Sequence, residues 1–160
     1  MRKSNWIILS TATIIGMVGG IYVCAKALRS DHGNMLSKLR RADDYYHVLV
    51  QWMRNKYNGN RLSNYFIKHG YSKVAIYGMG EIGDLLYEEL LAEGFKVEYS
   101  IDQIGGSHIK ELRGYTLKDE LPEVDAIVIT PIFAMDSICN SLQNKTNAKL
   151  VSLKVIIYDL

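Results

Sequence analysis

The chain has 160 residues, 48% hydrophobic and 22% charged, with 13 Gly, 2 Pro and 2 Cys, a composition that excludes a disordered, collagen-like or many-domain protein. Cys24 and Cys139 cannot build a disulfide framework, and no Cys/His spacing matches a zinc site. The net charge of +2 conceals a division: residues 1–61 carry ten Lys/Arg against three Asp, and residues 62–160 carry nine against fourteen acids. The cations flank an apolar run instead of forming a stripe interleaved with aromatics, which points to a membrane partner and not to nucleic acid.

The run Trp6 to Ala25 has twenty residues without a formal charge, and a helix of that length spans about 30 Å of hydrocarbon. It predicts a transmembrane anchor over residues 1–30. Two cations precede the run and five follow it by residue 41, so the positive-inside rule puts the C-terminal part in the cytoplasm of a single-pass protein of the cell membrane. A cleaved signal peptide is the competing reading, but its apolar region is usually shorter, about 7–15 residues. Ala12, Gly16, Gly20 and Cys24 recur every fourth residue, a small-residue face on which a homodimer could form through Gly16 and Gly20.

Asp31 to Asn34 interrupts the helical pattern. Leu36, Leu39, Ala42, Tyr46, Leu49, Val50, Met53 and Tyr57 then recur at helical spacing, predicting a juxtamembrane amphipathic helix within residues 31–60. That stripe must be covered by lipid, by a second copy or by the following domain, and the last is expected. A short helix from Arg61 to His69 should stop at Gly70.

Residues 61–160 read as an α/β domain. Lys73 to Tyr77 is a short apolar strand, followed by Gly78-Met79-Gly80-Glu81-Ile82-Gly83 and a helical run to Gly94. A second strand, Phe95 to Ile101, ends in Asp102, nineteen residues beyond Gly83. In a dinucleotide fold one glycine makes the turn, the next admits a pyrophosphate, the third lets helix pack on strand, and the acid takes ribose hydroxyls. Ala126 to Thr130, bounded by Pro131, reads as a buried parallel strand, Met135 to Leu142 as a helix, Leu150 to Leu153 as a last strand and Val155 to Leu160 as a closing helical turn. The alternation implies a parallel sheet of about five strands, with a crevice beside Thr130.

The segments KVAIYGMGEIGDLLYEEL, LPEVDAIVIT and VSLKVIIYDL resemble the small NAD(P)-binding Rossmann-like domains of bacterial capsule and exopolysaccharide proteins, described as nucleoside-diphosphate-sugar epimerase-like. The resemblance covers residues 61–160. It implies binding of a nucleotide, NAD(P) or a nucleoside-diphosphate sugar at Gly78, Gly80, Gly83 and Asp102; the intervening loop residues Met79, Glu81 and Ile82, and Thr130 at the strand end that opens on the crevice, complete the candidate site. It also implies an accessory role in polysaccharide biosynthesis, with a glycosyltransferase as partner.

A complete epimerase is not expected. Its Tyr-x-x-x-Lys general base has one match, Tyr22-x-x-x-Lys26, inside the apolar run, and little chain remains to hold a second reactant. Glu81 and Asp84 fall in the first helical turn after the glycines, where they occupy the field an anion would use, and no Lys or Arg lies between Lys73 and Lys96. His108, in the loop after Asp102, is either solvated or a ligand contact. Asp119, Glu120, Glu123 and Asp125 read as a solvated acidic face.

Overall fold

The computed structural model describes residues 35–103, 105 and 108–160. The run from Trp6 to Ala25, with its Gly16/Gly20 face, lies outside the described residues. No helix among the described residues is long and apolar enough to cross a membrane.

Residues 35–57 form α1, and the compact unit that carries the sheet begins inside this helix, at Tyr45, and runs to Leu160. Then come α2 (Leu62–His69), β1 (Val74–Tyr77), α3 (Glu81–Ala92), β2 (Val97–Ile101), β3 (Gly114–Tyr115), β4 (Ala126–Ile129), a 3-10 turn (Ile132–Ala134), α4 (Met135–Leu142), β5 (Lys149–Ser152) and α5 (Leu153–Asp159). The fold is α/β, with five α-helices among the described residues and a five-stranded sheet. All its pairings are parallel, in the order β3-β2-β1-β4-β5. The predicted strand from Phe95 begins two residues later, at Val97, because Phe95 instead stacks on Phe66 of α2.

Alternate residues of the central strands serve two cores. Val74, Ile76, Ala126 and Val128 pack with Leu62 and Phe66 of α2, Leu86 and Leu90 of α3, and Leu153 and Ile156 of α5. Ala75, Tyr77, Ile127 and Ile129 pack with Tyr99, Ile138 and Leu142 on the other face. Burial pushes the Tyr99 hydroxyl up to about 12, and that hydroxyl donates to Pro122 O at 2.9 Å.

From Tyr45 onward α1 does fold back onto the domain, but through a different face from the one expected. Val48 and Trp52 join the core at 1% and 5% exposure, whereas Tyr46, Met53 and Tyr57 are 62%, 65% and 93% exposed. The buried stripe includes a polar residue, Asn55, whose Nδ2 donates to Ile157 O of α5 at 2.7 Å. Trp52 Nε1 donates to Glu89 of α3 at 3.2 Å, and Lys56 Nζ pairs with the same carboxylate oxygen at 2.9 Å. Ranking positions by apolarity alone selects the outer stripe, because these hydrogen bonds are what make the inner one fit.

Polar contacts also set the element ends. Arg61 supplies no side-chain cap to α2. Glu93, just past the end of α3, does so from a distance, accepting from Leu62 N at 2.9 Å and Ser63 N at 2.7 Å. Gly70 ends α2 in the left-handed region at φ 72°, as predicted. Asp125 ties the start of β1, its Oδ2 accepting from Lys73 N, Ser72 N and Ser72 Oγ at 2.7–2.9 Å. These bonds, led by the Lys73 and Ser72 amides, hold the carboxyl below its usual range.

Two predictions follow from these anchors. Glu93→Ala should lower unfolding stability by about 1–2 kcal/mol, with Glu93→Gln losing less, as read by urea unfolding. Because the Asp125 pKa is depressed on folding, its contribution is present above the unfolded carboxylate value of about 3.9 and is lost as pH falls through the lower folded value. Asp125→Asn should therefore be less stable at neutral pH and show a flatter loss of stability below about pH 4.

Candidate functional site

The glycine bend joins β1 to α3 at the C-terminal ends of the strands, where the chain order reverses between β1 and β4. Ligands of open parallel sheets bind at such a reversal. Its three glycines stand in three different environments. Gly78 has φ 93°, and a Cβ there would lie 2.8 Å from both Pro131 Cδ and Thr130 Oγ1. A Cβ on Gly83 would sit 2.2 Å from Gly78 O, so α3 can approach β1 only with hydrogen at that position. Gly80, the exposed residue preceding α3, would project a Cβ into space with nothing within 4 Å. The first amides of α3 also open at this end, because a helix supplies no internal acceptors for them.

Asp102 lies at the end of β2 and meets this bend directly, its Oδ2 accepting from Met79 N at 3.0 Å. The Met79 side chain turns into the core at 8% exposure. Ile82 is half-buried against the same core, and Glu81 is exposed. Tyr77, at the end of β1, is buried, and that burial raises its hydroxyl pKa while Gln103 hydrogen-bonds to it. Gly78, Met79, Gly80, Glu81, Ile82, Gly83 and Asp102 are thus brought together.

Thr130 is adjacent but is turned to a structural task. It is 3% exposed, its hydroxyl donates to Gly78 O at 2.6 Å, and its carbonyl accepts from the Tyr45 hydroxyl at 3.1 Å. Tyr45 also meets the ring of Phe133 edge-on at 6.0 Å. The crevice expected beside Thr130 is closed on this side by Thr130, Pro131 and Tyr45, leaving Gly80 as the open face.

Sequence reasoning found His108 and Asp84 separately and missed that they meet. His108 Nε2 lies 2.9 Å from each Asp84 oxygen, with the hydrogen bond directed to Oδ2 and no further partner at Oδ1. The contact places the His108 imidazole on the Asp84 carboxylate, beside the first turn of α3, a stretch of the sequence without Lys or Arg. The two residues are 24 positions apart, and no local motif marks the pair. Asp119 and Asp125 are engaged in hydrogen bonds to backbone and hydroxyl groups rather than simply solvated. Among the described residues no cluster of His, Cys, Asp and Glu is able to hold a metal ion.

The residues fit a nucleotide only in part. Gly80 faces open space, but Asp102 occupies the Met79 amide and two carboxylates stand in the first turn of α3. An incoming phosphate would meet Gly80 and the first α3 amides, and a ribose would compete with Met79 N for Asp102.

The glycine environments separate fold from binding. Gly83→Ala should cost about 3 kcal/mol or fail to fold, because its Cβ overlaps backbone. Gly80→Ala should stay within about 1 kcal/mol of wild type in thermal unfolding, since its backbone is in the extended region and its Cβ meets nothing. Compared with known proteins, the chain matches no family model, no curated protein and no solved structure.

Proposed function

We propose that the chain is a membrane-anchored protein of the cytoplasmic face whose Rossmann-like unit binds a nucleotide-type ligand. NAD(P) and a nucleoside-diphosphate sugar are the classes in view, and the role is that of an accessory module of polysaccharide biosynthesis beside a glycosyltransferase. The observation that carries this reading is the division among the glycines: one turns, one packs against backbone, and the one between them faces open space. Packing alone explains Gly78 and Gly83. It does not require glycine at 80, where close approach of a ligand does.

A second reading has its own support. Asp102 on the Met79 amide and Thr130 on the Gly78 carbonyl leave the bend satisfied by the chain itself, as in a module that keeps the fold for structural or oligomerisation purposes without a ligand.

A thermal-shift panel on the full chain in detergent micelles, with NAD, NADP and uridine and adenine diphosphate sugars, separates the two. Ligand at one hundred times its dissociation constant should contribute about 2.7 kcal/mol. Gly80→Val should fold normally and lose the shift. A panel flat at millimolar ligand would favour the structural module.

A further inference from the structure

We propose that the outer face of α1, from Tyr46 to Tyr57, is a docking surface for an anionic lipid bilayer. The inference rests on the membrane half of the reading above only for bringing α1 near a bilayer, and it is independent of whether the glycine bend binds a ligand.

The observation is a helix with two apolar faces and one covering. Val48, Trp52 and Asn55 are buried against the domain. On the opposite side Tyr46, Val50, Met53, Arg54 and Tyr57, with Leu49 at the edge that still touches the core, line a shallow groove of about 570 Å³. Tyr57 is 93% exposed and Met53 65%, although large apolar side chains repeated along one helix face are normally covered.

The charge pattern selects the occupant. No acidic residue occurs from Tyr45 to Asn60, and Arg54 edges the groove, whereas Lys56 turns to the α3 side and pairs with Glu89. Tyr, Met and Val beside Arg make the composition of an interfacial helix, with amphipathic rings at headgroup level and cations on phosphates. Glu88 lines a neighbouring groove between α1 and α3, so the edge facing lipid is the Arg54 side. The uncharged run ends at Ala25, ten residues before the described start of α1, and ten residues reach at most about 35 Å even when fully extended. An anchored chain therefore holds the start of α1 near the bilayer surface.

A second copy is the competing occupant. Leu36, Leu39, Asp43, Tyr46, Val50, Met53 and Tyr57 alternate at spacings of three and four, as in a coiled-coil seam. A parallel copy, however, would set Asp43 against its equivalent. It would pair Met35 with Arg40, Ala42 with His47 and Leu49 with Arg54, and none of these flanking pairs joins opposite charges. The pattern complements an anionic surface better than itself.

The test uses the full chain with Cys24→Ser and Cys139→Ser, carrying an environment-sensitive fluorophore at Met53→Cys, in vesicles of phosphatidylcholine or of equimolar phosphatidylcholine and phosphatidylglycerol. A label at Lys145→Cys, exposed on the domain, is the reference. In the anionic vesicles the label at 53 should shift to the blue and be quenched by spin-labelled lipid. The effect should fall several-fold in phosphatidylcholine alone, in high salt and with Arg54→Glu, while the label at 145 stays open to aqueous iodide throughout. Iodide quenching at 53 in both vesicle types overturns the proposal. So does protection that ignores lipid charge and declines as unlabelled chain is added, which would identify a second copy. Carbonate extraction from the phosphatidylcholine vesicles reports separately on residues 6–25, so failure of the anchor is distinguishable from failure of this face.

Discussion

The tightest approach at any described glycine is that of α3 to β1, where Gly83 faces the carbonyl of Gly78 with no room for a side chain. Everything at the strand ends depends on it. With α3 drawn in, its first turn opens beside the end of β2, the Met79 amide meets Asp102, and the Gly78 carbonyl accepts the Thr130 hydroxyl. The same approach brings Asp84 within reach of His108. Closely packed interiors transmit such a constraint because they have few alternative arrangements, so the bend is fixed from both neighbouring strands and not only by its own sequence.

The second organising feature is that α1 from Tyr45 onward is part of the domain. Asn55 closes a buried bond to the backbone of α5, and Trp52 and Lys56 share Glu89 of α3. Tyr45 reaches Thr130, the residue that supports Gly78. A direct chain of contacts therefore runs from α1 to the glycine bend. Buried polar bonds of this kind are costly to leave unmade and specify one docking geometry where apolar packing alone would tolerate several.

Much of the architecture was legible in the sequence because it is written in short-range periodicity. The apolar runs at β1 and β4, the helical spacing of Leu86 and Leu90, and the glycine at 70 are local signals, and the structure places those elements within one or two residues of expectation. What was not legible depends on partners distant in sequence. Glu93 caps a helix 31 residues upstream, Tyr45 meets Thr130 across 85 positions, and no pattern marks either. The face of α1 was misread for a related reason. Its buried stripe contains Asn55, which hydrophobicity rejects and a carbonyl of α5 accepts. Thr130 was placed correctly beside the bend, but nothing local distinguishes a threonine that meets a ligand from one that supports a glycine.

The most direct test of the account is an amide-resolved NMR titration of the isotopically labelled full chain in micelles with NAD and a uridine diphosphate sugar. The account predicts shifts centred on Met79, Gly80, Glu81 and Ile82, with the Met79 amide moving as Asp102 changes partner. Shifts confined to the opposite end of the sheet, or a bend whose amides stay still while other residues respond, would contradict it.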